Sequence, residues 1–206
     1  MIPKTTSLLY APAGQFVRAQ VVELTADLAE QRIHSDWWTD AALLDRFHPT
    51  PIDRHWNWNE MGIELDGRPF ADQKFALVTD DGSVQGAMLI SAEPVPSVLR
   101  HDAGSLFIEL LFTAPRNRPY LRRDGQDFLK GVGTELLVWG AWRSHEEGCN
   151  GRLRLDGSPE HLDWYTRRGL QKLDLEPIVY EGVEYTPMEL PDEAARRLLG
   201  MRNDQT

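Results

Sequence analysis

The stretch Lys130-Gly131-Val132-Gly133-Thr134-Glu135-Leu136-Leu137 sets two glycines immediately ahead of a long amphipathic run. Val132, Leu136, Val138, Trp139 and Trp142 recur at helical spacing, which predicts a helix over residues 131–147 with Gly148 as its stop. The first turn of such a helix presents backbone N–H groups that have no partner within the helix. The helix dipole adds positive potential at the same end, so the glycine start suits a phosphate. Upstream, Leu106-Phe107-Ile108-Glu109-Leu110-Leu111-Phe112-Thr113 is nearly all apolar and reads as a strand central in its sheet, ended by Pro115. Downstream, residues 151–155 read as a short strand, and Ser158-Pro159 opens the next helix as an N-cap followed by proline.

Further out, residues 74–79 and 83–91 form a hairpin, with Asp80-Asp81-Gly82 as its turn. Residues 15–24 read as a strand. One or two helices follow over 26–47, with Leu28, Ile33, Trp37, Leu43, Leu44 and Phe47 as apolar contacts, and His48-Pro49-Thr50-Pro51 ends them. Residues 171–175 and 185–190 close the sheet, and 191–201 form a terminal helix before a fraying tail. Hairpin strands mixed with helices and a late strand–helix–strand unit predict one α/β (α+β) domain over residues 1–206.

The chain carries 32 acidic against 22 basic side chains, a formal charge of −10, which argues against a nucleic-acid grip and favours cationic partners such as amines. No apolar run reaches the roughly 18–20 residues of a membrane span. Cys149 is the single cysteine, and Met1-Ile2-Pro3-Lys4 lacks the layout of a signal peptide. A cytoplasmic location is therefore expected, without membrane or nucleic-acid partners; a homodimer is a further expectation.

Spacing sorts the glycine loop. A Walker loop needs lysine after its last glycine, whereas Lys130 precedes the pair. A dinucleotide fingerprint needs a third glycine where Leu136 stands. Between residues 116 and 130, Arg116, Arg118, Arg122, Arg123 and Lys130 outweigh Asp124 and Asp127, a net charge of +3 inside an acidic protein. Arginine forks suit phosphate groups.

Gly131 and Gly133 resemble the pyrophosphate loop Gln/Arg-x-x-Gly-x-Gly/Ala of the GCN5-related N-acetyltransferases (GNAT), with Phe128 at the Gln/Arg place. The run 158–170 resembles their ending Asn-x-x-Ala-x-x-hydrophobe-Tyr-x-x-x-Gly-Phe. Tyr165 and Gly169 match it, while Ser158, His161 and Leu170 depart from it. Ala114-Pro115-Arg116-Asn117, the following Gly131-Val132-Gly133 and the aromatic pair in Trp56-Asn57-Trp58 are similar to a bacterial subgroup of the family. The likeness covers roughly residues 52–190, and the first 50 residues match only in general layout.

The resemblance implies acetyl-coenzyme A (acetyl-CoA) as acyl donor and a primary amine, of a small molecule or a protein, as acceptor. It places the backbone of Leu111, Phe112 and Thr113 along the pantetheine arm. The pyrophosphate would meet Leu129, Lys130, Gly131, Val132, Gly133 and Thr134. Arg118, Arg123, Ser158 and Arg168 are further donor-binding candidates. Tyr165 would give a proton to the departing thiolate. Glu109, the lone charge of its strand, would be the general base, since an unpartnered buried carboxylate is costly. His101 and His161 are weaker choices for proton transfer. Trp56 and Trp58 would line the acceptor cleft if they are not packing residues. No metal is expected. The competing reading is a catalytically inactive coenzyme A-binding sensor or interaction module.

Overall fold

The computed structural model describes residues 5–10, 13–37, 74–121 and 127–200. In chain order its strands are β1 (Thr5–Tyr10), β2 (Gln15–Glu23), β3 (Lys74–Thr79), β4 (Val84–Ile90), β5 (Val95–Pro96), β6 (Gly104–Thr113), β7 (Leu129–Lys130), β8 (Leu153–Gly157), β9 (Gln171–Lys172), β10 (Ile178–Tyr180) and β11 (Val183–Leu190). The helices are α1 (Ala26–Ala29), α2 (Val132–Glu146), α3 (Leu162–Thr166) and α4 (Asp192–Leu198). Contacts divide the described residues into two units. The first takes those up to Ala92 together with Leu110–Leu136, and the second takes Glu93–Glu109 together with those from Leu137 onward. The division falls within β6 and within α2.

In the first unit the strand order is β7–β1–β2–β3–β4, with β6 beside β4. The β1–β2, β1–β7, β2–β3 and β3–β4 pairs are antiparallel. The β3–β4 hairpin turns where expected, because Asp81 Oδ1 accepts the Thr79 hydroxyl (2.7 Å) and the Ser83 N–H (3.0 Å). Local side-chain bonds of this kind are the reason aspartate favours turns. Thr25 caps α1 by accepting the Leu28 N–H at 3.2 Å, and the chain continues as one π-helical turn, Glu30–His34. That segment sets Ala29, Ile33 and Trp37 into a core with Ala76, Val84 and Leu89, and the Trp37 indole donates to the Val84 carbonyl at 3.1 Å. Leu28 packs at its edge. Leu43, Leu44, Phe47 and the proline run 48–51 lie outside the described residues.

Two elements here were not legible in advance. β1 runs from Thr5↔Gln20 to Tyr10↔Gln15 against β2 and also pairs Leu9↔Lys130 and Tyr10↔Leu129 with β7. The glycine loop therefore departs from a sheet edge. Gly86 on β4 is a packing requirement. A Cβ there would sit 2.8 Å from the Phe112 carbonyl oxygen, 2.8 Å from Val132 Cγ1 and 2.9 Å from Leu136 Cδ1. The first turn of α2 lies directly on that bare backbone.

In the second unit the order is β10–β11–β8–β6, with β5 beside β6 and β9 beside β11. β11 is antiparallel to β8, β9 and β10, whereas β6 and β8 are parallel through Leu106↔Leu153 and Phe107↔Arg154. The sheet is mixed and mostly antiparallel, with its parallel pair on the central strand. α2 begins at Val132 and ends as a Schellman cap, with Gly148 N–H on the His145 carbonyl (3.1 Å) and Cys149 N–H on that of Ser144 (2.8 Å). The segment ahead of β6 is held to β11 by one carboxylate. Glu189, fully buried, accepts from the hydroxyls of Ser97 and Ser105 and from the N–H groups of Val98 (2.8 Å) and Leu99 (3.4 Å).

Candidate active site

The glycine loop is built from its flanks. Gly131 adopts φ +95°, a left-handed conformation that L side chains rarely hold, and its carbonyl accepts the Glu135 N–H at 2.9 Å to open α2. An added Cβ would meet only Leu8 Cδ2, at 3.9 Å, so the need for glycine is conformational rather than spatial. The first-turn N–H groups of Val132 and Gly133 follow, where an α-helix supplies no carbonyl one turn back. Glu135 is held from β1, its Oε2 accepting the Thr6 hydroxyl at 2.7 Å. The Lys130 ammonium lies 5.9 Å from the centre of the Phe128 ring. A hydrogen bond to Asp127 raises the pKa of Tyr10 at the end of β1.

Leu129 takes a different part from the one expected. Its N–H donates to Asn117 Oδ1 at 2.8 Å, so this backbone group ties the loop down and is already engaged within the protein. Asn117 Nδ2 donates onward to Gln85 Oε1 (3.0 Å), and Gln85 Nε2 donates to Thr79 Oγ1 (3.1 Å). The Ala-Pro-x-Asn motif is thus a clamp between β4 and the loop.

Arg118 is likewise structural. It is only 5% exposed, its Nε donates to the Thr113 carbonyl at 2.7 Å, and its guanidinium stands 5.6 Å from the Phe112 ring centre. A side chain so enclosed braces the end of β6, and the Thr113 carbonyl is engaged in holding it. Arg116 reaches the Val84 carbonyl at 3.4 Å, and burial lowers its pKa. Leu111, Phe112 and Thr113 are half-buried in the first unit. Arg123 lies outside the described residues, as do Trp56 and Trp58.

Tyr165 belongs to the second unit, on α3. Desolvation, with a smaller contribution from the Glu160 charge, pushes its phenol up to about 12, so it stays protonated across the neutral range. Trp164 meets it edge-on, with ring centres 5.0 Å apart. Arg168 stacks on Trp164 at 3.8 Å and donates to the Trp164 carbonyl at 3.1 Å, which gives it a local partner within its own turn. Ser158 stands at the N-cap with Pro159 after it, as expected, but its side chain is turned to another partner. Its carbonyl accepts the His161 N–H (3.0 Å) and its hydroxyl meets His161 Nδ1 (2.9 Å), while no side-chain cap forms. The preceding proline geometry yields a 3₁₀ turn, Pro159–His161, before α3 begins.

Glu109 is half-buried on β6. The parallel neighbour β8 carries a second carboxylate that the sequence reading passed over. Asp156, half-buried between Leu155 and Gly157, has its pKa raised by burial, with Arg154 pulling the other way. Unlike Glu109, Asp156 shares its strand with an opposite charge, Arg154, two residues away. Among the described residues no three His, Cys, Asp or Glu side chains come together as a metal-sized cluster.

No protein-family model matches the sequence, and no curated protein sequence matches it. Solved structures do. A protein described as a bacterial toxin shares 16% identity over 91% of this chain and 98% of its own, with a TM-score of 0.56. A Lactobacillus plantarum protein assigned as an N-acetyltransferase shares 12% identity over 83% of this chain and 96% of its own, with a TM-score of 0.50. An HPA2-related acetyltransferase of Corynebacterium glutamicum shares 19% identity over 84% and 96%, with a TM-score of 0.49. The chain has the GNAT acyl-CoA N-acyltransferase fold, and at these identities the likeness reaches the fold alone.

Proposed function

We propose that the chain is an N-acetyltransferase that moves the acetyl group of acetyl-CoA to a primary amine of a small molecule or protein, by direct attack in a ternary complex. The observation that carries this reading is the start of α2. There Gly131 is left-handed, the Leu129 N–H just before it is tied to Asn117, and Val132 and Leu136 of the helix pack on Gly86, within the fold of this transferase class. Val132, Gly133 and Thr134 hold the diphosphate through backbone groups, with Lys130 adding charge. The donor supplies an activated thioester. Glu109 takes a proton from the amine, and the Tyr165 phenol supplies one to the departing thiolate. Asp156 is the alternative base. The net charge of −10 favours a cationic acceptor. Among the described residues no helix is long and apolar enough to cross a membrane.

Titration calorimetry with acetyl-CoA, paired with a thiol-release assay over a panel of amines, tests the reading. Micromolar binding and amine-dependent thiol release are the expected results. Binding without release on any amine favours the coenzyme-sensing module instead, a reading favoured by Ser158 being occupied with His161. No binding removes both.

A further inference from the structure

Leu129 can only donate through its N–H, and that single constraint orients every amide between it and the β3–β4 turn. Asn117 must present Oδ1 to Leu129, so its Nδ2 faces Gln85 Oε1. Gln85 Nε2 then faces Thr79 Oγ1, and the Thr79 hydroxyl donates to Asp81 Oδ1 at 2.7 Å. Thr79, Gln85 and Asn117 are all buried, whereas Asp81 sits in the exposed turn beside water. All the donors point one way, from the loop to the carboxylate, so successive bonds polarise one another.

We propose that Asn117, Gln85 and Thr79 are positioning residues for the glycine loop, with Asp81 as the charged end of their chain, and that this chain sets donor affinity without entering the chemical step. The proposal rests on the reading of the α2 start as a coenzyme A site. It assigns a role in ligand binding to Thr79, a residue three hydrogen bonds removed from the loop. Apolar side chains at these positions would fill the same space but leave the Leu129 N–H without a fixed direction. The loop would then reach its binding conformation only part of the time, and apparent affinity would fall by that fraction.

Three variants test this: Thr79→Val removes the hydroxyl at nearly constant volume, Thr79→Ser keeps it, and Asp81→Asn neutralises the exposed end with little risk to folding. Coenzyme A affinity, turnover at saturating acetyl-CoA and amide exchange at Leu129 are read on each. Thr79→Val should weaken coenzyme A binding about tenfold, hold saturated turnover within about twofold and speed Leu129 exchange about tenfold. Thr79→Ser should restore all three, and Asp81→Asn should weaken binding about threefold. Affinity and Leu129 exchange within about twofold of wild type in both Thr79→Val and Asp81→Asn overturns the chain. A fall in saturated turnover as large as the fall in affinity overturns its restriction to binding. Should the wild type bind no coenzyme A, the assignment to donor binding falls, while Leu129 exchange still decides whether the chain orients the loop.

Discussion

One polar network in each unit is built in the opposite way to the other. That of the first unit threads a line of neutral side chains, Asn117, Gln85 and Thr79, through the interior and ends on a single charge, Asp81, at the surface. The second places a full carboxylate, Glu189, at zero exposure and converges four donors on it. A line transmits: the direction of one bond constrains the next, so a change at Thr79 reaches Leu129. A hub anchors: each of its four bonds ends on the same carboxylate, and only the Ser97 hydroxyl continues outward, accepting the Arg100 N–H at 2.9 Å. In the role proposed for it, the line serves a loop that must hold one conformation for a ligand. The hub serves a connection, residues 97–105 against β11, that has only to stay shut.

The hub should therefore be the costliest place to cut. Glu189→Ala leaves two N–H groups and two hydroxyls without their acceptor, and should destabilise the protein by about 3–5 kcal/mol in urea unfolding. A loss under about 1 kcal/mol would mean water replaces the carboxylate, and the contrast with the line would collapse. Gly86→Ala comes next. Its Cβ would press on the Phe112 carbonyl oxygen, a backbone atom that cannot step aside, at a cost of about 1–3 kcal/mol with α2 displaced. Gly131→Asp should cost only about 1 kcal/mol of stability, because its surroundings are open and the penalty is that of a left-handed backbone. Coenzyme A affinity should nevertheless fall by about 100-fold or more, since a carboxylate would stand at the proposed phosphate site. Retained binding would remove the phosphate assignment altogether.

What could be read in advance follows the same division. Asp80-Asp81-Gly82 with its flanking strands and the helix after Gly131 depend on local patterns, and the sequence shows those. The partners of polar residues depend on contacts distant in the chain. Asn117 was recognisable within its motif, but its bonds to Gln85 and Leu129 span 32 and 12 residues, and no periodicity encodes them. Arg118 looked like a phosphate ligand because a charge-rich loop looks the same whether its arginines face solvent or brace the strand before it. β1 was missed because Thr5, Thr6 and Ser7 dilute its apolar signal, and its place is fixed by pairing with β2 and β7. Asp156 shares its strand with Arg154, so a search for lone charges does not single it out.

Asp81 and Asp156 give the finest form of the contrast, as two aspartates with opposite pH signs. In the first unit Asp81 has its carboxyl pushed below the ordinary value of 3.8, first by the Ser83 N–H and then by the Thr79 hydroxyl. A depressed folded pKa adds stability above the unfolded value and loses it as pH falls towards the folded one. In the second unit burial raises Asp156 above 3.8, against the pull of Arg154. Here the unfolded chain releases its proton first, so stability declines as pH rises from the unfolded value through the folded one, and the cost is complete at neutral pH. At pH 7 Asp81→Asn should therefore be less stable than the wild type and Asp156→Asn more stable, each by less than about 1 kcal/mol because solvent screens both groups. The Asp156→Asn gap should close once the pH drops below the ordinary carboxyl value, while the Asp81→Asn gap should close only at still lower pH. Thermal melts of both variants between pH 7 and pH 3 would check this, and a shared sign would erase the distinction between a carboxylate held by donors and one merely buried. The same Asp156→Asn protein separates the two candidate bases. Turnover that survives in it, but falls about 100-fold in Glu109→Gln, leaves the amine's proton with Glu109.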